Sequence, residues 1–138
     1  MSETIILPRN LVQKLFAHAQ TDPALEVCGL ISSRNGEPLR HYPVANVAGE
    51  PDHLFDMDQA GQVAAMKAMR ERGEELFAIY HSHPSAPAEP SAQDRELLAY
   101  PDAVYLIISL NTKGVLELRA WRSADCGMAE VPLRIIED

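Results

Sequence analysis

The groups best suited to chemistry are concentrated in H-S-H-P-S-A-P-A-E-P-S-A-Q-D, residues 81–94. His81 and His83 stand two apart at the end of the apolar run L-F-A-I-Y. Side chains alternate along a strand, so both imidazoles leave the same face. Asp94 follows a loop stiffened by Pro84, Pro87 and Pro90 and falls in the first turn of the next predicted helix. Two imidazole nitrogens and one carboxylate oxygen suit Zn2+, one ion per chain, with the fourth tetrahedral position left to water. An open position of that kind marks a catalytic site rather than a structural one. A second reading of the same residues stays open. Ser91-x-x-Asp94 is close to a capping box, in which serine and acid serve only the start of a helix.

The spacing resembles the JAMM (MPN+) metalloprotease family, whose motif is a distant Glu followed by H-x-H-P, six residues and S-x-x-D. Here Pro84 follows His83, residues 85–90 intervene, and Ser91 and Asp94 complete the pattern. Glu26 opens E-V-C-G-L-I, which is similar to the family's E-x-C-G-L segment. Residues 43–58, P-V-A-N-V-A-G-E-P-D-H-L-F-D-M-D, resemble its Pro-x-x-Asn turn and the Phe-containing segment beyond it.

The resemblance implies a curved mixed sheet flanked by helices, related to cytidine deaminases, with zinc at one end of the central strands. It implies His81, His83 and Asp94 as ligands, Glu26 as general base and then acid, and Ser91 as donor to the oxyanion of the tetrahedral intermediate. It also implies a substrate class: the peptide or isopeptide bond after the C-terminal Gly-Gly of a ubiquitin-like protein, for compact bacterial members a sulfur carrier. An extended tail of that kind can pair with a sheet edge. Two alternatives are carried alongside, a non-catalytic scaffold module and a RadC-like protein associated with DNA repair.

The elements that must position these residues can be read from periodicity and punctuation. Strands are expected at Ile5–Leu7, Cys28–Ser32, Leu39–Val44, Leu76–His81, Val104–Leu110 and Val115–Arg122, with one closing strand at Ala129–Ile135. Ser33–Gly36 reads as a hairpin turn and His53–Met57 as extended. Helices are expected at Asn10–Ala19, capped by Asn10, at Asp58–Gly73, capped by Asp58 with Val63, Ala65, Met66 and Met69 inward, and at Ser91–Ala99. Interleaved strands and helices define an α/β (α+β mixed) class with a single domain over 1–138.

Several remaining residues read as structural. Cys28 is a small buried apolar group, Gly29 permits close packing, and Ser82 points away from its flanking histidines. Asn46 ties a loop, Trp121 belongs to the core or an edge, and His18, His41 and His53 serve surface or packing.

Composition narrows the function classes. The chain has 138 residues, 46% of them apolar, with 12 Lys+Arg against 20 Asp+Glu for a net charge of −8. It is too short for a (β/α)8 barrel, which needs about 250 residues. An acidic chain with no basic run gives no support to nucleic-acid or membrane binding, nor to the RadC-like alternative. H-x-E with P-C-x-x-C, and H-E-x-x-H, are absent, which removes a cytidine deaminase and the commonest zinc-protease pattern. Two cysteines, Cys28 and Cys126, and a start that lacks signal-peptide character lead to the expectation of free thiols in the cytoplasm.

Overall fold

The computed structural model describes residues 3–91, 100, 102–111, 116–124 and 127–137. In chain order the elements are β1 (Ile5–Pro8), α1 (Arg9–Thr21), β2 (Cys28–Arg34), β3 (Glu37–Val44), α2 (Gln59–Glu71), β4 (Glu75–His83), β5 (Val104–Ser109), β6 (Glu117–Ala124), β7 (Gly127–Val131) and β8 (Leu133–Ile136). Six strands form a mixed sheet in the order β3-β2-β4-β5-β6-β7, and β1 pairs with β8 in a separate parallel ribbon. Among the described residues, only β4–β5 is a parallel pair within the large sheet. That pair joins the two apolar runs expected as strands at Leu76–His81 and Val104–Leu110, and parallel strands need cover on both faces.

Each face has its own core. Leu11, Leu15 and Ala19 of α1 pack on Ile31, Ala78, Tyr80, Leu106 and Ile108. On the other face Ala65 and Met69 of α2 meet Cys28, Leu30, Ile79, Tyr105 and Ile107. From Ala78 onward, past a register irregularity at which Phe77 also joins the α1 side, alternation along β4 places Ala78 and Tyr80 toward α1, and Ile79 with the positions that follow it by two toward α2.

Turn chemistry fixes the joints. The β2–β3 hairpin turns through Asn35 (φ 55°) and Gly36 (φ 82°), the left-handed pair that suits a tight two-residue connection. Asp58 caps α2 by accepting from the Gly61 amide at 2.9 Å. The helix ends where Gly73 adopts φ 73°, and the Glu74 amide returns to the Met69 carbonyl at 2.8 Å.

Four expectations are corrected. Helix α1 starts at Arg9, not Asn10, and Pro8 occupies the capping position without a side-chain bond, because the chain passes directly from β1 into the helix. Val63 is 68% exposed: at this point the core-facing stripe of α2 narrows to Ala65 and Met69. The closing strand is two strands, since Pro132 lies between β7 on the large sheet and β8 on the ribbon. Within His53–Met57, His53 lies in a turn and only Met57 pairs, through an isolated bridge to Asn46. The helix expected at Ser91–Ala99 lies outside the described residues apart from Ser91 itself.

Candidate metal centre

Antiparallel pairing of β2 with β4 sets Cys28 opposite His81, and this register brings two distant segments of sequence together. Glu26 precedes Cys28 by two and therefore shares its face. Ligand atoms from Glu26, His81 and His83 all lie within 4.8 Å of one another, and all three residues are buried. Glu26 is 5% exposed and each histidine 2%, so the cluster is nearly closed to solvent.

The two imidazoles present matching atoms, with Nε2 of His81 3.1 Å from Nε2 of His83. On the far side of its ring, His83 places Nδ1 2.7 Å from the Pro87 carbonyl. A carbonyl only accepts, so Nδ1 carries a proton, and in the neutral ring this turns the Nε2 lone pair toward His81. Phe55 stacks on His81 at 4.3 Å between centroids and 19° between planes, which limits rotation of that ring. Two inward nitrogens and a carboxylate are a donor set that fits a divalent cation of the zinc type.

The backbone at Glu26 is clamped from three sides. Its amide donates to the Pro51 carbonyl at 2.7 Å, and its carbonyl accepts from Asn46 Nδ2 at 2.9 Å. Next to it, the Val27 amide donates to Ser82 Oγ at 2.9 Å, while the Ser82 amide donates to the Val27 carbonyl at 3.0 Å. Ser82 thus faces away from its histidines, as alternation requires, and locks the β2 entrance to β4. Asn46 also donates to the Leu54 carbonyl and accepts from the Ala48 and Asp56 amides, tying the whole 46–56 loop to Glu26.

Cys28 is a free, fully buried thiol beside this cluster. Burial first, then the charges of Glu26 and Asp56, push its pKa up to about 12, so it stays protonated at neutral pH and serves as packing. Gly29 fills the close-approach role: a Cβ there would stand 2.6 Å from both the Tyr42 carbonyl and Tyr80 Oη. Tyr80 in turn meets His18 Nδ1 at 2.7 Å. His41 lies near both rings, and His53 contacts Glu50 and Asp52 at the surface.

Of the five residues expected in the site, the structure brings together Glu26, His81 and His83. Ser91, the last described residue of the segment that follows His83, stands half-buried directly after Pro90. Asp94 and Cys126 lie outside the described residues. The Phe55 ring on His81, and the Ser109 and Trp121 donors to the loop after His83, are contacts that motif reading misses, because they depend on strand register and loop path rather than on spacing.

A mixed sheet with helices on both faces and a Glu–His–His cluster at the strand ends define a JAB/MPN-type domain. The family model described as prokaryotic homologs of the JAB domain matches residues 8–124, and the chain belongs to that family. It is 33% identical over 135 residues to a CysO-cysteine peptidase of Mycobacterium tuberculosis, covering 96% of this chain and 92% of that protein. It is 33% identical over 114 residues to a desampylase of Haloferax volcanii, covering 78% and 82%. A solution structure of a Desulfitobacterium hafniense protein superposes with a TM-score of 0.87 at 33% identity, covering 97% of this chain and 94% of that one. The chain is a peptidase of the JAB type. Among the described residues no helix is long and apolar enough to cross a membrane.

Proposed function

We propose that this chain is a zinc-dependent peptidase or isopeptidase that hydrolyses the bond after the C-terminal Gly-Gly of a ubiquitin-like sulfur-carrier protein. Residues 1–138 act as one domain, and the setting is the cytoplasm. The observation that carries the reading is the convergence of Glu26, His81 and His83 in a chain of this family. The names of the two curated relatives, one a peptidase acting on CysO-cysteine and one a desampylase, support the substrate class.

In this reading His81 and His83 hold zinc through Nε2, and Asp94 is the third ligand by its place in the motif. When bound, the ion supplies a Lewis acid for the scissile carbonyl and lowers the pKa of water toward about 7. Glu26 takes the proton from the attacking water onto its carboxylate and then gives it to the departing amine, so it ends the cycle ionised as it began. The Ser91 hydroxyl donates to the oxygen that gains charge as the carbonyl becomes tetrahedral. With the Cys28 thiol held protonated, Glu26 is the cluster's proton acceptor in this reading.

Incubating the chain with ubiquitin-like carriers that bear C-terminal extensions, followed by intact mass, tests the proposal. Loss of everything beyond Gly-Gly is the expected result. Intact carriers in every case, with zinc bound, would favour the non-catalytic scaffold. Asp94→Asn is expected to lower zinc occupancy, and full occupancy in that variant would remove Asp94 from the ligand set.

A further inference from the structure

Three consecutive carbonyls in the loop after His83 are each taken by a side chain from a different strand. Ser109 Oγ on β5 donates to Ala86 at 2.7 Å, His83 Nδ1 on β4 to Pro87 at 2.7 Å, and Trp121 Nε1 on β6 to Ala88 at 3.1 Å. Ser109 Oγ accepts from the Asn111 amide at 3.1 Å, which leaves its hydrogen committed to Ala86. The His83 carbonyl accepts from the Leu110 amide at 3.0 Å, so the loop's start is fixed to the same neighbouring strand.

Pro84, Pro87 and Pro90 bring no amide hydrogens, and the loop depends on outside donors to hold its path. Ala88 is fully buried and Trp121 only 8% exposed, so the donor from β6 acts away from competing water. With Pro87 fixed in φ by its ring and the carbonyls on either side pinned, the Pro87 carbonyl has little freedom to turn from His83. That carbonyl determines which imidazole nitrogen carries the proton, and with it whether Nε2 offers a lone pair toward His81.

We propose that Trp121 and Ser109 are positioning residues for the metal centre: by pinning Ala88 and Ala86 they hold the Pro87 carbonyl on His83 Nδ1 and keep His83 Nε2 ready to bind metal. This rests on the reading of His81 and His83 as zinc ligands. The indole therefore has a use beyond packing, since phenylalanine would fill much of the same apolar space without supplying the N–H.

Zinc affinity of the full chain, measured by competition with a chromophoric chelator, tests the proposal. Trp121→Phe and Ser109→Ala are each expected to weaken zinc binding about tenfold, the lower end of what outer partners of metal-bound histidines contribute. Ser109→Thr, which keeps the hydroxyl, is expected to restore most of it. Val131→Ala, a loss of core packing on the α1 face, is expected to lower thermal stability while leaving zinc affinity within about twofold of wild type. Long-range proton–nitrogen spectra of the metal-free chain should show His83 as a single Nδ1–H tautomer in wild type and a mixture in Trp121→Phe. Unchanged affinity in both Trp121→Phe and Ser109→Ala, or an equal loss in Val131→Ala, would overturn the assignment. If His83→Ala abolishes zinc binding while those two variants bind normally, this proposal alone fails. A wild-type chain that takes up no zinc would bring down the ligand reading and this proposal together.

Discussion

Gly29 shows how little room the site's supporting strand leaves. The Tyr42 carbonyl and Tyr80 Oη both lie 2.6 Å from where a Cβ would be, and a backbone carbonyl cannot step aside as a flexible side chain would. Gly29→Ala is expected to destabilise the fold by about 3 kcal/mol, read as a drop in denaturation midpoint with an unchanged denaturant slope. A cost below about 0.5 kcal/mol would show that β2 can shift freely. At this scale His81 and His83 were legible from alternation alone, because a two-residue spacing on a strand needs no knowledge of partners. Glu26 was not: taken singly it is one acid among many, and only its resemblance to a known segment singled it out. The reason is physical, since its place in the cluster is created by the β2–β4 register. The donor roles of Trp121 and Ser109 were likewise hidden in a loop path that sequence spacing does not encode.

At the scale of elements, one buried carboxylate joins β2, β3 and the turn that leads from α2 into β4. Glu74 accepts from Tyr42 Oη at 2.6 Å and Arg40 Nε at 2.9 Å, and its side chain is fully buried. Burial by itself raises the Glu74 pKa, but the hydrogen bonds from Tyr42 and Ser32 and the charge and hydrogen bond of Arg40 outweigh it and leave the group below the ordinary range. A depressed folded pKa contributes stability that is present above the unfolded value, about 4.3, and is lost as pH falls through the folded one. Glu74→Gln is therefore expected to lower the melting temperature at pH 7 and to narrow its gap from wild type as pH falls below about 4. A gap that widens in acid would contradict the sign. The 46–56 loop depends in the same way on Asn46, whose side chain makes four hydrogen bonds to backbone. Asn46→Ala is expected to cost about 2–3 kcal/mol and to reduce cleavage as well, because the loop supports both the Glu26 backbone and the Phe55 ring on His81. Wild-type cleavage in that variant would separate the loop from the site. Helix ends with strong local signals, Asp58 and Gly73, were readable in advance. The exposure of Val63 and the division at Pro132 were not, since both depend on what the rest of the chain leaves uncovered.

The whole molecule is a two-faced sheet with apolar side chains closing the face under α1 and the face under α2, the second reaching the candidate metal centre through Phe55 and Cys28. Removing metal with a chelator is therefore expected to abolish cleavage while leaving the far-ultraviolet circular dichroism in place, with a fall in melting temperature set by binding linkage alone. Loss of the fold on chelation would instead make the ion structural. The central claim is that Glu26 moves the proton while the histidines hold the metal, and Glu26→Gln separates these roles in one preparation. Zinc content and cleavage of an extended ubiquitin-like carrier, measured side by side, should show about one zinc per chain retained and the rate lowered by about 10²–10⁴-fold. Cleavage near the wild-type rate, or zinc lost together with activity, would contradict the account.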